Sequence, residues 1–97
     1  MSAFFLATIS KVKDAEKFGE YARRAGESFA PYGANLVTKG KFDKSLAGEF
    51  NTGAVSIVRF PDIDALNSWF ASEAYQAIVP LRDEAAELTI SAFHEVV

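Results

Sequence analysis

Five side chains are the groups best able to bind or transform a small molecule: Tyr21, Arg59, Trp69, Tyr75 and His94. His94 is the chain's single histidine. Imidazole titrates near neutral pH, so it suits a general base or a haem ligand. It suits equally a half-buried strand position or the rim of a dimer. Arg59 shares its parity with Val55 and Ile57. An arginine on an apolar strand face needs a partner, because an unpaired buried charge is costly. The partner is either a carboxylate or phenolate on a ligand, or a protein carboxylate: Glu95, Glu49 or one from a second subunit. Tyr21, Tyr32, Trp69 and Tyr75 combine an apolar body with a polar tip. That combination lines a ligand cleft well, and it also packs an ordinary core.

The types that are missing narrow the chemistry. No cysteine means no thiolate and no disulfide framework. One histidine and no cysteine fall short of the three or four ligands of a usual zinc site. No Walker loop, GxSxG elbow, GxGxxG turn or HExxH helix occurs. The net charge of −3 argues against nucleic acid, which needs a basic face. The expectation is therefore a protein with no cofactor, no metal, no nucleic-acid partner and no membrane span. The remaining charges read as structural. Arg82-Asp83-Glu84 is a solvated turn or a salt bridge, and Asp62 with Asp64 starts a helix. Lys39 and Lys41 guard a sheet edge.

The elements that must position these groups follow from periodicity. Phe4 to Val12 favours a strand, with apolar residues on both parities. Asp14 is a helix N-cap, with Glu16 in the first turn. Phe18, Tyr21, Ala22, Ala25 and Phe29 recur at spacings of three and four, marking an amphipathic helix. Glu20 and Arg24 are placed to pair on it. Pro31 and Gly33 end it, with Gly33 left-handed. Leu36 to Phe42 is a second strand with Gly40 a candidate bulge. Asp43 to Gly53 is a hairpin loop, and Ala54 to Phe60 a third strand stopped by Pro61. Asp62 and Ser72 cap two short helices, and Pro80 interrupts the second or starts another turn. Leu88 to Val97 is the last strand.

The order is βαββαβ, a ferredoxin-like α+β arrangement with one four-stranded antiparallel sheet and helices on one face. Its 97 residues make one domain, 1–97. Two-sided apolar strands leave the outer sheet face greasy, which soluble monomers avoid. Packing against a second copy of the same face resolves this. No apolar run nears the roughly 18 residues of a membrane span. Met1 to Leu6 lacks the basic start of a signal peptide. The expected setting is the cytoplasm.

Several pieces occur in a recognisable order. They are Val12-x-Asp14-x-x-x-Phe18-x-x-Tyr21, Tyr32-Gly33-Ala34 and Val58-x-Phe60-Pro61-Asp62. Ala65-Leu66-x-x-Trp69-Phe70-x-Ser72-x-x-Tyr75-Gln76 follows, with Leu81-Arg82 behind it. With these the chain resembles the DUF1330 group of small bacterial proteins, in the dimeric α+β barrel superfamily. It departs from the pattern at Ser72-Glu73-Ala74-Tyr75, where Ser-Pro-Glu-Tyr is usual, and at Phe18, where Tyr is usual. The resemblance implies the fold and a homodimer. The wider superfamily holds cofactor-free monooxygenases, haem-degrading and dismutase-like enzymes, and plain binding modules. The monooxygenases use an Asn and a Trp close together. Asn67 and Trp69 have those types, but two residues apart they fall on different sides of a helix.

Three functional readings stand at this point. The first is a homodimer that binds a small apolar or aromatic acid. The second is a cofactor-independent monooxygenase or isomerase acting on an aromatic or keto substrate. The third is a structural or interaction module without a ligand. A site, if built, is expected between helices and sheet, where the Pro80 break leaves gaps, or where two subunits meet. Tyr21, Trp69 and Tyr75 would line it, with Arg59 and His94 as its polar groups.

Overall fold

Strand β1 (Ala3–Val12) runs through the middle of the sheet, between β3 (Ala54–Phe60) and β4 (Ala86–His94). Strand β2 (Asn35–Lys41) lies outside β3, giving the order β2-β3-β1-β4. All three pairings are antiparallel, as the βαββαβ order requires. The computed structural model describes residues 1–50 and 53–96. Val97, assigned from the sequence to the last strand, and Asn51 and Thr52 of the hairpin loop lie outside the described residues.

Local signals set the helix starts. Asp14 accepts a hydrogen bond from Lys17 N at 3.0 Å and opens α1 (Ala15–Glu27). Asp62 accepts from Ala65 N at 2.8 Å and opens α2 (Ile63–Ala71). Ser72 accepts from Tyr75 N at 3.2 Å and opens α3 (Glu73–Gln76). Pro80 sits in the first turn of α4 (Val79–Ala85), where its missing N–H costs nothing. It starts a helix rather than interrupting one.

Three expectations shift. Helix α1 stops at Glu27, and a 3₁₀ turn (Ala30–Tyr32) follows; Gly33, at φ 67°, caps that turn. The ion pair on α1 is Arg23 with Glu27 at 3.2 Å, not Glu20 with Arg24. The irregularity in β2 falls between Leu36 and Thr38, at Val37, whereas Gly40 pairs regularly with Val55.

The register sorts the two faces. Ala3, Phe5, Ala7 and Ile9 of β1, with Ala54, Ser56, Val58 and Phe60 of β3, share the helix side. Phe4, Leu6, Ile57, Arg59 and Phe93 point the other way, where no helix lies among the described residues. There Phe4 and Phe93 stack with ring centroids 5.2 Å apart. The helix side is filled unevenly. At the Phe5 and Phe60 end, Trp69 stacks on Phe5 at 5.2 Å and meets Tyr75 at 4.3 Å. Trp69, Tyr75, Phe60 and Ile78 are the largest fully buried side chains. At the other end the strands offer Ala7, Ala54 and Ser56, and the backbone of α1 lies closer to α4 than to the sheet, which it meets through Tyr21 and Ala25. Small residues beneath a raised helix leave space. No helix among the described residues is long and apolar enough to cross a membrane.

Candidate functional site

The space is a cleft of about 590 Å³. Small-molecule sites run from roughly 300 to 1,000 Å³. Its floor is Ala7, Ile9, Ala54, Ser56, Val58 and Ile90 of the sheet, and its roof is the inner side of α1. Phe18 and Tyr21, with Phe29 just beyond the helix, give the roof aromatic rings, while Ala22, Ala25 and Gly26 keep it thin. A Cβ added at Gly26 would meet no atom within 4 Å. The third wall is strand β2, with Leu36, Lys39 and Lys41. The gap therefore lies under α1, not at the turn that Pro80 begins.

The five candidate residues divide. Tyr21 lines the cleft. Its hydroxyl lies 2.8 Å from that of Tyr75 in a buried bond. Tyr75 is wholly buried behind it and accepts a hydrogen bond from Arg82 Nη1 at 3.1 Å. Trp69, 1% exposed, belongs to the packed half, where its indole N–H donates to Ser28 Oγ at 2.8 Å. Trp69 and Tyr75 are thus not among the residues lining the cleft.

Arg59 and His94 stand apart from it and from each other. Arg59 pairs in register with Phe4 on the outer face, whereas His94 pairs with Ala3 on the helix side. Strand β1 separates them, so they do not converge. Arg59 donates to Glu95 Oε1 through Nη2 at 2.7 Å and Nε at 3.1 Å, and Ser2 Oγ donates to the other oxygen of the same carboxylate. The structural partner foreseen for Arg59 is therefore Glu95. His94 is exposed at the end of β4.

Two further sets of groups bear on the site. Arg82, expected in a solvated turn or a salt bridge, does hold Asp83 at 3.2 Å but also sends its guanidinium inward to Tyr75. Burial lowers its pKa, but the bonds to Tyr75 and Asp83 outweigh that and raise it above its ordinary value. Burial also pushes the Tyr21 phenol well above its ordinary value, and the neighbouring Tyr75 adds to the shift. The Tyr21 hydroxyl therefore stays protonated through the neutral range. Lys39 and Lys41, taken for edge protection, also line the cleft. Their signal lay in the bulge: one extra residue at Val37 reverses the parity of everything after it. Leu36 opposes Val58 on the helix side, and beyond the bulge Lys39 opposes Ser56 and Lys41 opposes Ala54 on that same side.

No group of three or more potential metal ligands occurs among the described residues. Asn67 is exposed while Trp69 is buried, so the asparagine–tryptophan pair does not form one site.

Comparison with known proteins bears on the fold and the family. The model of a domain of unknown function, DUF1330, matches residues 2–96. No curated protein matches the chain. Among solved structures, the RPA0582 protein of unknown function from Rhodopseudomonas palustris has a TM-score of 0.80 at 20% identity, over 99% of this chain and 83% of that one. SnoaB, a cofactor-independent oxygenase from Streptomyces nogalater, has a TM-score of 0.71 at 14% identity, over 99% and 94%. A dimeric ferredoxin-like protein of unknown function from Thermobifida fusca has 0.64 at 13% identity, over 96% and 90%. At these identities the likeness is one of fold.

Proposed function

The chain belongs to the DUF1330 family, and from that membership we propose that it forms a homodimer through its outer sheet face and binds a small apolar or aromatic acid in the cleft under α1. The cleft carries the binding reading. A well-packed core leaves few voids larger than a water molecule, whereas here about 590 Å³ stands open beside a tightly filled half. Aromatic rings above and aliphatic carbon below suit a flat or chain-like apolar body. The outer face supports the dimer. Phe4, Leu6, Ile57 and Phe93 form an apolar surface on the side without helices, and Phe93 is 41% exposed. Such a patch favours a self-complementary contact. Fold neighbours described as dimeric point the same way.

The experiment is a thermal-shift screen of aromatic, aliphatic and keto acids against wild type and Gly26→Trp, which puts an indole into the cleft. A ligand at a hundred times its Kd adds about 2.7 kcal/mol. For a domain of this size that is a rise of roughly 10 °C or more. Wild type should respond and Gly26→Trp should not. No response from any compound, or the same response in both proteins, would remove the cleft from consideration.

A further inference from the structure

We propose that the cleft takes a monocarboxylate, with its head group seated at the β2 wall between Lys39, Lys41 and Ser56 and its apolar body running beneath α1. This rests on the cleft being a ligand site. Most of the lining is carbon, so the few polar groups decide orientation. Two of them are lysines two residues apart on one strand, whose shared face the bulge at Val37 turns to the helix side. Neither forms an ion pair among the described residues. Ser56 stands directly across the ladder from Lys39, is half-buried, and has no hydrogen-bond partner for its hydroxyl among the described residues. Directly opposed residues have Cβ atoms about 5 Å apart, so one carboxylate can span the pair. One oxygen accepts from Ser56 Oγ–H and the other from an ammonium group.

Charge sign favours an anion over other polar heads. No Asp or Glu lines the cleft among the described residues, although the whole chain carries −3. A cationic head would meet two like charges, and a neutral one would leave them unused. Lysine stems also lie well along apolar surface while their ammonium groups stay wet. The pair can therefore close the mouth over the ligand's carbon without a buried unpaired charge. The roof offers one further polar atom, the hydroxyl of Tyr21, which is already bonded to Tyr75.

The test uses matched acids and alcohols: octanoate with octanol, and cinnamate with cinnamyl alcohol. Binding is measured by titration calorimetry at low and high salt. In wild type each acid should bind about two- to fivefold more tightly than its alcohol, the scale of a partly exposed charge pair. That preference should shrink as salt is added. In Lys39→Gln/Lys41→Gln the acid should fall to the alcohol's affinity, with the alcohol unchanged. Lys39→Arg/Lys41→Arg should restore the preference. Ser56→Ala should weaken the acid alone, which guards against misfolding of the lysine variants. Equal binding of acid and alcohol in wild type overturns the head-group assignment and leaves the cleft standing. So does an acid preference that survives in the double glutamine variant. Failure of all four compounds to bind overturns the cleft and the assignment together.

Discussion

Replacing Tyr75 by phenylalanine removes one oxygen and leaves the ring in its tilted contact with Trp69. That oxygen holds two bonds, from Arg82 Nη1 at 3.1 Å and with Tyr21 Oη at 2.8 Å. A hydrogen bond contributes about 1 kcal/mol net, and one to a charged group about 1.5–3 kcal/mol. Arg82 keeps its contact with Asp83 and reaches solvent, so its loss is discounted to about 1 kcal/mol. The Tyr21 hydroxyl, buried and stripped of its partner, costs about 1–2 kcal/mol more. The sum is about 2–3 kcal/mol, a fall in Tm of roughly 10–20 °C for a domain of this size. Tyr21→Phe breaks the same bond from the other side but leaves the Tyr75 oxygen with Arg82. It should cost only about 1 kcal/mol. The double variant carries no orphaned Tyr21 hydroxyl and should be more stable than Tyr75→Phe alone. Urea and thermal unfolding of the four proteins close the cycle. A double variant that loses the sum of the two single losses would show that the hydroxyls are independent, and the reasoning would fail.

Other outcomes follow from the same geometry. Ile57→Asp, on the outer face, should leave a folded chain of 10.6 kDa by light scattering, against the doubled mass expected of wild type if it forms the proposed dimer, whereas Val58→Asp, at a position 2% exposed inside, should unfold it. Equal behaviour of the two variants would mean that the faces are misassigned. The Tyr21 phenol is raised above its ordinary 10.0 in the folded chain, so the unfolded state gives up its proton first. Stability is then full below about pH 10 and falls as pH climbs further. Urea midpoints from about pH 9 to about pH 11 should show that fall in wild type and a shallower one in Tyr21→Phe. Gly33→Ala puts a Cβ 3.0 Å from Pro61 Cγ at φ 67°. It should lower stability by about 1 kcal/mol or more in a chemical melt.

Much of this architecture could be read from local chemistry. Asp14, Asp62 and Ser72 announced their helices because a cap is a short-range bond between a side chain and a backbone N–H nearby. The four strands and their order followed from β-favouring runs and turn residues. Two-sided apolar strands pointed to an uncovered face, and Arg59 found one of its foreseen partners in Glu95. The cleft was harder to place. It depends on how far α1 stands from the sheet, which no residue of α1 encodes alone. Trp69 and Tyr75 have the side chains of a ligand wall and went to the packed half, because Phe5 and Phe60 draw them there. Lys39 and Lys41 could not be assigned to the cleft without the bulge at Val37. A one-residue slip reverses every side chain after it, and Gly40 was the more obvious place to expect it. Arg82 reaches Tyr75 across seven residues of chain and a helix break, beyond the span of any periodic pattern.

Helix α1 behaves as a beam clamped at both ends. At its start, the N–H groups of Lys13 and Asp14 both donate to the carbonyl of Ala85, at 2.7 and 3.1 Å. Ala85 closes α4 and Ala86 opens β4 with no intervening loop, so that anchorage has no slack. At its finish, buried Ser28 accepts the indole proton of Trp69 and donates to Ala25 O at 2.5 Å. Between the clamps run 13 helical residues, about 20 Å of stiff span. A span held in this way should keep its height whether or not anything lies beneath it. The cost of holding the chamber open is then met during folding and is not charged again on association. If the cleft takes a ligand as proposed, that ligand gives up its own freedom but little of the protein's. Association should accordingly be fast and single-phased. Loosening one clamp, as Ser28→Ala would, should reveal itself first as a slower, two-phase approach to equilibrium.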